Sequence, residues 1–397
     1  MPYKLVQRYL DEHADLLDTR AVAIGRGAID NQYDVLADHL PDGPWLVAAD
    51  ANTWEAAGDR LTEVLDLVGQ PWVRFEVEAA PHHEYPICTD DLVSECQAAM
   101  VDRGCSAGIA VGSGTINDTV KMAAHNLDRP MAVVGTAPSM NGYTSGIAAI
   151  LSGGVKTTNP CTAPRVVLAD LEVMAKAPAR MICSGLGDLL SKPVSNSDWA
   201  VSARLNDTPH SAEAMEIIEA GAEALDGVAP KLPDRDREAV GGLVRSLMLS
   251  GIAMSVAGTS SPASGGEHLI SHYIDMTAHA FDQPHDFHGC QVGVGTLTSA
   301  MIYEKLQAFD PATLDIDARV AALPDWSDYE TGTAPCTRPS SPTPNPAIRP
   351  PTSCAGASRR WSINGTPSSR KPAKPSVPAT RSKPNWMPPT APPGFPI

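Results

Sequence analysis

Four side chains spread between positions 188 and 288 carry the chemistry of a divalent-metal site: Asp188, His268, His272 and His288. Asp188 closes Ser184-Gly-Leu-Gly-Asp188 at the start of a helical stretch, among Leu186, Leu189 and Leu190. A carboxylate in such apolar company needs a cap role, an ion pair or a metal. His268 and His272 lie four apart in Glu267-His-Leu-Ile-Ser-His272, so a helix turns both imidazoles to one face. Leu269 stands where the HExxH protease motif has its glutamate, which excludes that motif. His288-Gly289 precedes an apolar helical run over Val292–Ala308. One acid with imidazoles from separate helices suits Zn²⁺, Fe²⁺ or Ni²⁺. Spacing alone leaves the alternative open, that these histidines are core or capping residues.

Two further segments suit a dinucleotide. Ala107-Gly-Ile-Ala-Val111 runs into Gly112-Ser-Gly114-Thr115-Ile116-Asn117-Asp118, a strand, a glycine turn and a helix start. Glycines let phosphate oxygens approach the backbone, and the N–H groups and dipole of the helix hold the negative charge. The third glycine of GxGxxG is missing, with Asn117 in its place, so a ligand-free turn also fits. After the next strand comes Thr136-Ala137-Pro138-Ser139-Met-Asn141-Gly-Tyr143-Thr-Ser145, at the carboxyl end, where open α/β sheets bind ligands. Asp50 follows the apolar run Trp45–Ala49. An acid there can bind ribose hydroxyls and favour NAD over NADP, or it can cap the helix that begins near Trp54.

The elements that must position these groups divide the chain in two. Strand-like runs at Ala21–Ile24, Trp45–Ala49, Trp72–Val77, Ala107–Val111, Met131–Gly135 and Val166–Ala169 are separated by helical patterns at Thr53–Leu67, Thr89–Arg103 and Ile116–Asn126. That alternation predicts right-handed crossovers and a mostly parallel sheet. Helical spacing then dominates at Pro178–Leu190, Ser211–Leu225, Asp236–Ala257, Glu267–Ala280 and Val292–Ala308. The expected fold is an α/β dinucleotide-binding domain over 1–160, followed by an all-helical metal-binding domain over 161–330.

From Thr331 the composition changes abruptly. The last 67 residues hold 17 of the 36 prolines and nine Lys or Arg but no acid, so all 46 acids lie before them against 21 bases. At the body's acid frequency about nine acids would be expected there. A Pro/Ser/Arg-rich stretch over 331–397 of this kind reads as a shifted reading frame, or else as a natural disordered basic tail. The acidic body disfavours nucleic acid and anionic membranes as partners. No membrane span is expected, because 18 consecutive apolar residues occur nowhere. Eight scattered cysteines without a CxxC pair, and a start that lacks a secretory signal, suit reduced thiols in a cytoplasm.

The order GSGTIND, TAPSMNGYTS, GLGD, GGEHLISH and FHGCQVGVGTL resembles the sn-glycerol-1-phosphate dehydrogenases, of the metal-dependent polyol dehydrogenase and dehydroquinate synthase-like group, from about Ala21 to Leu306. The resemblance implies NAD(P)H-dependent reduction of dihydroxyacetone phosphate at one divalent metal per chain, zinc first and iron or nickel as alternatives. It gives the metal to Asp188, His268 and His288, and a place near substrate to His272. It gives the dinucleotide to Gly112 and Gly114 through Asp118 (Thr115, Ile116, Asn117) and to Thr136, Ala137, Pro138, Ser139 and Ser145, beside Asp50. Asn141 stands where the family commonly has a substrate-contacting Asp. Lys192, one helical turn beyond Asp188, is this chain's own candidate for the substrate phosphate. Glycerol dehydrogenase, a dehydroquinate synthase-like lyase and an inactive truncated relative are the rival readings. A homo-oligomer is compatible with all of them.

Overall fold

In the computed structural model, residues 4–79, 85–281, 283 and 285–323 are described, all within the compact unit Met1–Arg349. His82, His83 and the segment from Thr331 lie outside the described residues.

Six apolar runs form strands: β1 (Ala21–Gly25), β2 (Trp45–Ala49), β3 (Trp72–Glu76), β4 (Ala107–Gly112), β5 (Met131–Gly135) and, later in the chain, β8 (Val166–Asp170). They pair in parallel in the order β3-β2-β4-β5-β8-β1. Every residue of β2, β4, β5 and β8 is buried. Helices cover both faces of such strands, so their sequences are continuously apolar rather than alternating. The chain order reverses where β2 meets β4, which opens a crevice at the carboxyl ends of these two strands.

The sequence reading did not anticipate the antiparallel hairpin of β6 (Ile147–Ser152) and β7 (Val155–Pro160). Gly153 and Gly154 both take positive φ at its tip, the backbone that a tight two-residue hairpin turn demands.

Helices α1 (Lys4–Glu12), α2 (Asp59–Val68), α3 (Asp90–Asp102) and α4 (Gly114–Asn126) belong to the sheet half. The helical half comprises α5 (Ala179–Leu190), α6 (Lys192–Asn206), α7 (Ala212–Leu225), α8 (Arg237–Ala257), α9 (Gly266–Ala280) and α10 (His288–Ala308). Strand β8 ends at Asp170, and helices take over after that residue. Helix α8 is long and apolar enough to cross a membrane, yet 83% of its apolar window is buried in this fold, as a core helix would be.

Helices α5 and α10 pack with almost no separation. A Cβ on Gly187 would strike the Gly289 carbonyl, and one on Gly289 would strike the Ser184 carbonyl. Only glycine on both helices allows this approach, which brings the residue after Gly187 and the residue before Gly289 together: Asp188 and His288.

Candidate active site

Both expected loops lie at the carboxyl edge of the sheet. Ser113 follows β4 and starts α4, with its hydroxyl on the Ser139 hydroxyl of the segment after β5. The Thr136 amide donates to the Gly112 carbonyl at 3.0 Å, which ties the two loops at their base. Gly114 and Thr115 are partly exposed at the first turn of α4, as a pyrophosphate contact needs.

Several residues expected around the dinucleotide face the scaffold instead. Ile116 packs against Gly112, where any Cβ would meet its side chain. Asn117 is wholly buried, and Asp118 takes the Ala149 amide of β6 at 3.0 Å. Ala137 and Ser145 are buried, and the Ser145 hydroxyl donates to the Gly142 carbonyl at 3.2 Å. Pro138 is buried too, its carbonyl lying where a Cβ on Gly185 would fall. Asp50 caps its helical turn, accepting from the Thr53 amide at 2.8 Å, so the capping alternative is realised.

A residue that the sequence reading passed over clamps this region. Lys121 is fully buried, and its ammonium donates to Asp118 at 3.2 Å and to the carbonyls of Gly142 and Ile147 at 2.8 and 2.9 Å. It joins α4, the Asn141–Tyr143 turn and the hairpin in one knot. Helical spacing in Lys121-Met-Ala-Ala is compatible with an exposed lysine, so only the fold reveals the role.

Asp188, His268, His272 and His288 come together in the helical half. Oδ1 of Asp188 lies 3.8 Å from Nε2 of His268. Ring centroids are 5.1 Å apart for His268 and His288, 6.0 Å for His272 and His288, and 6.4 Å for His268 and His272. Nδ1 of His268 is 2.8 Å from the Glu267 carboxylate, and Nδ1 of His288 is 3.1 Å from the Ser271 hydroxyl. That hydroxyl donates onward to Gln291 at 2.8 Å, so it accepts from His288. With each Nδ1 engaged, each Nε2 is left as a lone-pair donor, the arrangement that orients metal-binding imidazoles.

Burial sets the charge states. It holds His288 well below the usual imidazole range, with His268 adding to the effect, and presses His272 down to about 4. Burial opposes the charge on Asp188, but Lys192 foremost, with His268 and His288, more than offsets it, so this carboxyl lies below its ordinary range. A carboxylate beside three imidazoles, two of them (His272 and His288) kept neutral by burial, is a donor set that fits zinc or a comparable divalent ion. Among the described residues no three such donors already converge at coordination distance. The cation now on Asp188 is the Lys192 ammonium, at 2.8 Å.

That contact revises the role expected of Lys192. Its three protons go to Asp188, the Ser191 hydroxyl and the Ala263 carbonyl, which leaves none for a phosphate. Asn141 also serves the carboxylate: its amide N–H and side-chain amide donate to the two oxygens of Asp188 at 3.1 and 3.3 Å, and the side chain reaches Ser250 at 3.2 Å. An Asp there would face Asp188 with a second charge. The amide removes that conflict. Lys156, on β7, reaches α9 and pairs with Asp275 at 3.5 Å, close enough to depress His272 and His288 electrostatically. The hairpin that carries it was not foreseen, so its proximity to the histidines could not be read from sequence.

The model of the family described as iron-containing alcohol dehydrogenase matches residues 23–178. A glycerol-1-phosphate dehydrogenase [NAD(P)+] of Bacillus licheniformis is 33% identical over 293 residues, 73% of this chain and 72% of that protein. One from Methanococcoides burtonii is 34% identical over 278 residues, 70% and 74% of the two chains. Among solved structures, a probable glycerol dehydrogenase from Sinorhizobium meliloti has a TM-score of 0.59 at 22% identity, covering 81% of this chain and 90% of its own. An iron-containing alcohol dehydrogenase from Thermotoga maritima has a TM-score of 0.55 at 18% identity, covering 70% and 75%. At these identities the structures report the fold alone.

Proposed function

We propose a specific reaction for this chain from the premise that it belongs to the glycerol-1-phosphate dehydrogenases within the iron-containing alcohol dehydrogenase family. The chain is an NAD(P)-linked dehydrogenase. Its reaction is the reduction of dihydroxyacetone phosphate to sn-glycerol 1-phosphate, and the reverse.

Asp188, His268 and His288 would hold a divalent ion, zinc first and iron or nickel as alternatives. When bound, the nicotinamide supplies the hydride and the metal ion polarises the carbonyl as a Lewis acid. The protein's own groups do the rest. Glu267 and Ser271 fix the two ligand rings, and Asn141 fixes the Asp188 carboxylate. His272, kept neutral by burial, takes or gives the alcohol proton, directly or through water. Gly114 and Thr115 offer backbone N–H groups to the pyrophosphate, and Thr136 and Ser139 line the remainder of the dinucleotide cleft. With Lys192 spent on Asp188, Lys156 is the cation we assign to the substrate phosphate. A cytoplasmic setting accords with the six cysteines of the described residues, all free thiols.

The observation that carries this reading is the approach of Asp188 to His268 and His288 with both Nδ1 atoms already engaged. The test is NADH and NADPH oxidation by metal-loaded protein, offered dihydroxyacetone phosphate and dihydroxyacetone separately. Turnover of the phosphate ester at a kcat/KM at least about tenfold above that of the free ketone supports the reading. Equal rates would point to a polyol dehydrogenase, and no rate with either would reject the reaction.

A further inference from the structure

A cavity of about 640 Å³ opens at the amino-terminal edge of the sheet, opposite the loops that follow β2, β4 and β5. Its walls come from the residues just before β1, β2, β5 and β8, and include Arg20, Arg129, Arg165 and His39, with Asp38 and Asp128 beside them. The three guanidinium groups are held in place by backbone carbonyls. Arg20 donates to Ala14 at 2.7 Å, Arg129 to Met100 at 2.9 Å, and Arg165 to Asp18 at 3.2 Å. Each contact uses one nitrogen and leaves the others of that fork available.

Among the described residues, Arg8, Arg60, Arg74, Arg180 and Arg237 pair with carboxylates within 4.0 Å, and none of these three does. In a body with 46 acids against 21 bases, three arginines against two aspartates around one cavity make a locally positive surface. His39 adds a ring anchored at Nδ1 by the Val35 carbonyl at 2.9 Å, so its Nε2 is not used there. Planar guanidinium forks match the oxygens of a phosphate, and anchored forks lose little entropy on binding one. Asp38 and Asp128 repel a large polyanion but can accept from hydroxyl groups.

We propose that this cavity is a binding site for a small phosphate-bearing anion, separate from the dinucleotide cleft. A phosphomonoester with free hydroxyls fits best, the phosphate on the arginines and the hydroxyls toward the two aspartates. Inorganic phosphate satisfies the arginines alone.

Isothermal titration of the full chain, saturated with NADH, with inorganic phosphate and then with sulfate tests the site. The variants are Arg20→Gln, whose side chain is exposed, and Arg165→Lys, which keeps the charge and loses the fork. Losing one charge-assisted contact should weaken phosphate binding about tenfold in Arg20→Gln. Arg165→Lys should weaken it as well, with NADH affinity unchanged in both. Phosphate affinity identical in the wild type and both variants would overturn the site. So would equal, millimolar responses to phosphate and sulfate that no variant alters.

Discussion

The Lys192 ammonium donates to the Asp188 carboxylate at 2.8 Å, and both groups are buried. The pair links the last turn of α5 to the first residue of α6 and keeps an otherwise desolvated carboxylate ionised. Removing one partner of a buried pair leaves the other uncompensated, which costs about 3–5 kcal/mol. Lys192→Met should therefore lower stability by about that amount in urea unfolding of the metal-free protein. Excess Zn²⁺ should restore much of the loss by placing a cation on Asp188. A variant as stable as the wild type without metal would show that the pair contributes little.

Lys121→Met tests the knot beneath the dinucleotide loops. It strips Asp118 and the carbonyls of Gly142 and Ile147 of a shared donor inside the core. The expected loss is again about 3–5 kcal/mol, with a higher KM for NADH because the Asn141–Tyr143 turn and the start of α4 lose their common anchor. Guanidinium unfolding and cofactor titration read the two effects separately. An unchanged KM in a destabilised variant would confine Lys121 to a structural part.

The sheet was largely legible in sequence, because buried parallel strands must be continuously apolar, and all six runs became strands within one or two residues of their expected ends. The approach of Asp188 to the histidines was legible only through the order of motifs. The glycines at 187 and 289 that cause it carry no periodicity. Three positions resisted the sequence reading for a common reason. Lys121, Lys156 and Lys192 are amphipathic, and whether a lysine is solvated or buried against acceptors depends on partners 21 to 119 residues away. The hairpin was not legible because Ile147–Leu151 falls between the loop that ends at Ser145 and the domain limit at 160, where no element is assigned from the sequence. Its Gly-Gly turn was the available signal.

Cysteine chemistry gives a prediction with a definite sign. Burial raises the thiols of Cys88, Cys96 and Cys161 to about 12. An unfolded thiol ionises near 8.5. Between the two values the native state keeps protons that the unfolded state loses, so their contribution to stability is intact below about pH 8.5 and falls as pH rises toward about 12. Melting temperature should accordingly drop on going from pH 8 to pH 10. In the folded protein at pH 8, iodoacetamide should label exposed Cys183 and leave these three untouched, as peptide mapping would reveal. Rapid labelling of Cys96 without unfolding would contradict the packing described.

Lys156 provides the sharpest separation of substrate binding from scaffold. It lies on β7 with its ammonium 3.5 Å from Asp275, and its field acts on His272 and His288. If it carries the substrate phosphate, Lys156→Ala should raise the KM for dihydroxyacetone phosphate about tenfold or more, the value of one charge-assisted contact. The smaller kcat/KM for dihydroxyacetone should hardly change, because that ketone has no phosphate to lose. Stability should change by less than about 1 kcal/mol, since the Asp275 pair is partly solvated. Lys156→Arg should recover most of the affinity, as a cation of similar reach. Equal losses with both ketones would instead make Lys156 a positioning residue for α9, acting through Asp275 on the histidines it faces.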